Sequence, residues 1–174
     1  IDVPYCRARG VGIVRRITGG GAIYLDEGQL GWGLVFRRSA LGPGSLAEVA
    51  RDICVAVAAG LRKLGVEARY RPRNDIEVDG RKISGTGGFF DGDTLIYQGT
   101  VLVDMDPAAM VAALRVPRAK LEKRQLDSAA QRVVTLRELL GPDTPGLPAI
   151  QQALLEAFAE RFDVEWQAEG LGAE

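Results

Sequence analysis

The stretch "RNDIEVDGRKISGTGGFFDGDTLIYQGTVLVD", residues 73–104, carries most of the fold information in the chain. Residues 74–84 predict a β-hairpin, because Asp79-Gly80 supplies the two-residue turn between two runs of strand formers. Residues 85–93 predict a glycine-rich loop, and residues 94–104 a long strand. Three further strand-type runs lie upstream, "GVGIVRRI" (10–17), "AIYL" (22–25) and "LGWGLVF" (30–36). The last alternates Leu30, Trp32, Leu34 and Phe36 on one face with Gly31, Gly33 and Val35 on the other. Its glycine face predicts close approach by a ligand or another backbone.

Helices separate and follow these strands. Residues 45–65 have capping-box spacing at Ser45 and Glu48, apolar residues at three- and four-residue steps, and Gly65 as a terminator. "VEARY" (66–70) predicts a strand. Pro107 predicts the first turn of a helix over 107–114, and residues 129–141 and 148–162 predict closing helices. Early strands with interspersed and later helices predict an α+β domain: a mixed, mostly antiparallel sheet flanked by helices. A length of 174 residues calls for one domain, 1–174. The opening "IDVPYC", without methionine, predicts an excerpt or a trimmed beginning.

Composition excludes several classes of function. A net charge of −1, from 22 basic and 23 acidic side chains, gives no basic excess for nucleic acid. No apolar run approaches the roughly 18 residues of a membrane span. The N-terminal residues lack the pattern of a secretory signal, and two cysteines far apart form neither a disulfide framework nor a zinc site. A cytoplasmic setting is expected. The chain has no histidine, so His-based triads, general bases and metal ligands are excluded.

"GVGIVR" breaks the dinucleotide fingerprint at its last glycine, and no P-loop occurs. What remains is a set of anion-binding parts. Arg15 and Arg16 bring forked cations. Gly19, Gly20 and Gly21 allow backbone amides to approach an anion or a thin chain. Asn74 and Asp75 precede the hairpin, Lys82 follows its turn, and "SGTGG" (84–88) is a second close-approach segment. Cys54, between Ile53 and Val55, and Cys6 are expected to be structural.

The order of these parts resembles the lipoate–protein ligase A family of the biotin/lipoate ligase superfamily. The resemblance rests on "VRRITGGGAIYLDEGQLGW", "RNDIEVDGRKISGTGG", "IYQGTVLVDMD" and "LRVPRAKLEKRQLDSAAQRVVTLRELLG", and runs from about residue 2 to 162. It implies a biotin/lipoate ligase-like catalytic domain lacking its front helix and strand. It also implies activation of lipoate (or octanoate) by MgATP to lipoyl-AMP. The acyl group then passes to a lysine of a lipoyl-carrier domain or glycine-cleavage H-like protein. By the same resemblance Lys82 is the active-site lysine. Arg15, Arg16, Thr18, Gly19, Gly20 and Gly21 shape the lipoyl and adenylate pocket. Asn74, Ser84, Gly85 and Thr86 belong to it as well, Gly99 and Thr100 border the acyl tunnel, and Asp75 is the candidate Mg²⁺ ligand. Joining a carboxylate to a phosphate needs positioning and charge stabilisation more than proton transfer, so a histidine-free chain can serve.

Three departures stand out. Leu25 replaces a frequent His, Thr86-Gly87-Gly88 replaces a pair such as Ala-Gln, and the chain ends without room for an accessory C-terminal domain. The last predicts a separate small accessory subunit. The alternatives are an octanoyltransferase of the same fold, a biotin ligase, and a non-catalytic lipoyl-binding subunit.

Overall fold

In chain order, the computed structural model has α1 (Val3–Ala8), β1 (Gln29–Arg37), α2 (Leu46–Lys63), β2 (Arg69–Arg71), β3 (Asp75–Val78) and β4 (Arg81–Asp91). There follow β5 (Thr94–Leu102), α3 (Pro107–Leu114), α4 (Leu136–Leu140) and α5 (Leu147–Phe162). The structure describes residues 1–42, 44–114 and 132–170. Two tight turns build the centre of the sheet. Asp79 (φ 49°) and Gly80 (φ 78°) both adopt left-handed backbone, as a two-residue hairpin turn requires, and join β3 to β4 where expected. Gly92 (φ 56°) lies in the turn that joins β4 to β5. The five strands run β1-β5-β4-β3-β2, every neighbour antiparallel. The α+β class is as expected.

α2 and α5 cover one face of the sheet. The Ser45–Glu48 capping box forms as predicted and starts α2, whose buried stripe includes Val49, Ile53, Cys54, Val57 and Leu61. The predicted alternation in β1 holds: Leu34 joins the core, with Leu30, Trp32 and Phe36 packed against it. Trp32 meets Phe158 of α5 at 5.5 Å between ring centroids, and Phe36 meets Phe162 at 5.3 Å.

Cross-strand partners share a face, so the register shows what lies on the other side. Gly31, Thr100, Gly85 and Asp75 form one row across four strands, and Arg71 extends it onto β2. Gly33, Gln98 and Gly87 form the next. Over these two rows the face carries little bulk on β1, β5 and β4, before the next row of Val35, Ile96 and Phe89, and it turns charged over β3 and β2.

Several expected elements differ. Residues 85–91, expected as a loop, are strand, because β5 pairs with them along their whole length. Residues 10–17 and 22–25, expected as strands, are not: among the described residues no strand pairs with them, and β-branched composition alone does not make a sheet. A short helix lies before residue 10. It is α1, started by the Asp2 side chain accepting from the Tyr5 N–H. Of the predicted helix over 129–141, residues 129–131 lie outside the described residues, as does most of the "LRVPRAKLEKRQLDSAAQ" stretch. Residues 132–135 are not helical, because their backbone is used elsewhere. Lys82 N–H donates to the Arg132 carbonyl at 2.8 Å, and Val134 N–H donates to the Lys82 carbonyl at 2.9 Å. Among the described residues no helix is long and apolar enough to cross a membrane.

Candidate functional site

The bare sheet face and the segment above it enclose a cleft of about 350 Å³. Its floor includes Gly31, Gly85, Thr100 and Gln98, and Lys82 stands at its side. Gly19, Ala22, Ile23 and Leu25 of the non-helical segment form a second wall, and Met110 and Leu114 of α3 a third.

Lys82 reaches this cleft because of a β-bulge. Glu77 pairs with Lys82, but Ile76 pairs with Ser84, which leaves Ile83 as an extra residue. Strict alternation would put Lys82 and Ser84 on one face and Gly85 on the other. The bulge instead puts Lys82, Gly85 and Asp75 together and turns Ser84 into the core beside Ile76 and Val101. The expected role of Ser84 in the pocket is therefore corrected: it is fully buried, and its hydroxyl has no hydrogen-bond partner among the described residues.

The Lys82 side chain lies across Gly85, where an added Cβ would sit 2.5 Å from both Cε and Nζ. Its ammonium meets Asp75 Oδ1 at 2.7 Å, while Arg71 meets Asp75 Oδ2 at 2.7 Å and Glu77 at 3.3 Å. Burial pushes the Asp75 carboxyl up, but hydrogen bonds and charge from Lys82 and Arg71 outweigh it and hold it below the usual aspartate range. Both Asp75 oxygens are thus committed to cations. Among the described residues no three His, Cys, Asp or Glu side chains gather to hold a metal. The expected metal role of Asp75 does not fit this arrangement, in which it is a counter-ion.

The triple-glycine segment is organised from within. Arg16 donates to the Thr18 hydroxyl at 2.9 Å and to the carbonyls of Gly19 and Gly21 at 2.8 and 2.7 Å. Thr18 is buried, and its hydroxyl accepts from Gln98 Nε2 at 2.8 Å, which ties the loop to β5. Arg16 and Gly19 border the cleft; Gly20 and Gly21 do not. Arg15 is exposed and away from it. The two arginines were expected to grip a ligand together, but the Arg16 guanidinium closes the loop, since its rigid fork matches converging carbonyls.

Asn74 and Thr86 clasp one another at the start of β3. Thr86 donates its backbone N–H (3.0 Å) and its hydroxyl (2.9 Å) to the Asn74 carbonyl, and the Asn74 amide donates to the Thr86 carbonyl. Since the Thr86 proton is used there, the Tyr97 hydroxyl donates to Thr86 Oγ1, at 2.7 Å. Cys54 Sγ lies 3.4 Å from the same oxygen. Burial pushes both the Cys54 thiol and the Tyr97 phenol up, so both stay neutral. Cys6 is buried as well. Thr86, Gly99 and Thr100 border the cleft, whereas Asn74 does not and contacts Thr86 instead.

Sequence reasoning missed Gln98, Arg71 and the α3 wall. Alternation along β5 places Gln98 on the face of Thr100, so a signal existed for it. None existed for Arg71, whose value depends on its partners across β3.

The chain matches the family model described as lipoyl protein ligase A/B catalytic domain over residues 1–159. It is 35% identical over 140 residues to lipoate-protein ligase LplJ of Bacillus subtilis, covering 80% of this chain and 41% of that one. It is 30% identical over 197 aligned positions to octanoyltransferase LipM of Kyrpidia tusciae, covering all of this chain and 71% of that one. The fold superposes with a TM-score of 0.88 on a chain of the bipartite lipoate protein ligase system of Thermoplasma acidophilum. That match has 26% identity and covers 98% of this chain and 66% of that one. The chain spans about two fifths of the LplJ ligase and about two thirds of the Thermoplasma chain. With a family match across nine tenths of its length, the chain belongs to the lipoyl protein ligase A/B catalytic domain family.

Proposed function

We propose that this chain is the catalytic domain of an ATP-dependent lipoate–protein ligase. It joins lipoate or octanoate to AMP, releasing pyrophosphate, and passes the acyl group to a carrier lysine. The observation that carries this reading is the Lys82 ammonium, held beside a cleft whose floor includes Gly31 and Gly85. Joining a carboxylate to an α-phosphate brings two anions together, and a fixed ammonium with approachable backbone supplies the charge that this step requires. Arg16, Thr18 and Gly19 shape the loop over the acyl chain. Gly20, Gly21 and Arg15 belong to the same loop at its exposed side. Gly85 and Thr100 let the chain lie flat on the sheet, Thr86 and Gly99 back it from the packed side, and Asn74 fixes Thr86.

Octanoyl transfer is the second reading, favoured by the LipM relative that spans the whole chain. A branch of that chemistry uses a cysteine nucleophile, and a reactive cysteine needs an exposed, electropositive setting. Both cysteines of this chain are buried, and burial pushes Cys54 up, which supports the ligase reading.

The partner is a lipoyl-carrier domain or glycine-cleavage H-like protein, with a separate accessory subunit assisting adenylate formation and a cytoplasmic setting for the two free thiols. The test incubates the protein with ATP, Mg²⁺, lipoate and an apo carrier domain, with and without such a subunit, and weighs the carrier by mass spectrometry. A parallel arm supplies octanoyl-carrier protein instead. Mass gain only with ATP and lipoate supports ligation; gain only in the second arm replaces it with octanoyl transfer. Lys82→Ala is expected to abolish the adenylate with the fold intact, and normal yield from it overturns the assignment.

A further inference from the structure

The charged half of the open sheet face contains more than the lysine needs for itself. Lys82, Asp75, Arg71 and Glu77 form an alternating line, with contacts of 2.7, 2.7 and 3.3 Å in turn. The line is built by register. Arg71 faces Asp75 across β2 and β3, and Glu77 faces Lys82 across the bulge. The Asp75 side chain is only 20% exposed, and Glu77 17%, so the two carboxylates on which Arg71 acts are both withdrawn from water.

We propose that Arg71 is a positioning residue for Lys82, acting through Asp75; the inference rests on the ligase reading of the cleft. A carboxylate held on one side only can rotate about its Cβ–Cγ bond. With Arg71 on Oδ2, the carboxylate plane is fixed and Oδ1 is presented to Lys82 at one angle. One of the three ammonium N–H groups is used there, and the direction of the remaining two follows from it. Gly85 leaves the space in which the stem lies. Arg71 also shares the negative charge of Asp75, so the lysine is not wholly neutralised and retains attraction for an anion in the cleft. Arg71 itself does not border the cleft.

This arrangement predicts a particular form of coupling. Arg71→Gln lowers the rate of adenylate formation by about ten- to a hundredfold, the range that a displaced catalytic group costs. Arg71→Lys recovers part of it, because one cation replaces another but without the fork. In an Asp75→Asn background, Arg71→Gln costs nothing further, since the route by which it acts is already gone. A purely structural role would give equal losses in both backgrounds and a lower melting temperature. The assay is single-turnover adenylate formation from ATP and lipoate by the four proteins of this cycle, with melting temperatures alongside. A crystal structure of the Arg71→Gln variant provides a readout independent of turnover. Lys82 Nζ leaving its contact with Asp75 Oδ1 supports the proposal whether or not lipoate is the substrate. An unmoved ammonium, an undiminished rate in the single variant, or a full additional loss in the Asp75→Asn background overturns it. A wild-type protein that makes no adenylate either alone or with the accessory subunit, with a variant structure that does displace the ammonium, removes the ligase reading and leaves the positioning role standing.

Discussion

Gly85→Ala separates the position of Lys82 from the stability of the sheet. An added Cβ falls 2.5 Å from Lys82 Cε and Nζ, whereas ordinary contact begins near 3.4 Å, so the ammonium end moves by roughly 1 Å. The obstruction is the far end of a flexible side chain, and the next nearest atom, Asp75 Oδ1, is 3.9 Å away. Gly85 does not have the positive φ that would strain an alanine. The backbone therefore accepts the change. Replacing glycine at a compatible position stabilises by about 0.4–1 kcal/mol through the unfolded chain. For a chain of this size that is a melting temperature unchanged or raised by a few degrees, at about 2–4 °C per kcal/mol. Activity moves the other way. A displacement of about 1 Å in a catalytic group costs up to about a hundredfold. Calorimetry and single-turnover adenylate formation on the same preparation test both halves. Gly99→Ala is the contrasting control: its Cβ meets the Trp32 ring, with Cε2 at 2.6 Å, and Thr86 Cγ2 at 3.0 Å. That site lies on the packed face, so overpacking costs about 1–3 kcal/mol. A fall of several degrees for Gly85→Ala, or activity within twofold of the parent, refutes the reasoning.

Tyr97→Phe removes the donor to Thr86 Oγ1 and is expected to cost about 0.5–1.5 kcal/mol in urea unfolding, with cleft activity reduced less than by Lys82→Ala. Asp75 titrates below its ordinary value in the folded protein, so it contributes stability above that value and loses it as pH falls through the folded pKa. Below about pH 4, the ordinary aspartate range, the parent should lose stability more steeply than Asp75→Asn in acid unfolding. Neither thiol of the native protein is expected to react with a thiol-specific reagent over minutes, and both should react in denaturant. Rapid labelling of Cys54 in the native state would reopen the cysteine-dependent reading.

The sequence by itself determined the elements that depend on near neighbours. Asp79-Gly80 specified a hairpin because only a few residues adopt left-handed backbone cheaply. Ser45 and Glu48 specified the start of α2 because a cap involves three residues of separation. The alternation in 30–36 showed which face of β1 would be bare. Tertiary structure decided what depends on distant partners. Residues 85–91 are strand because β5 pairs with them, and residues 10–17 are not, although their side chains favour it. One bulged residue, Ile83, exchanged the places of Ser84 and Gly85, burying the first and laying the lysine across the second. A side-chain period of two makes every face assignment hostage to a single insertion in register, and the pairing of β3 with β4 settles that register.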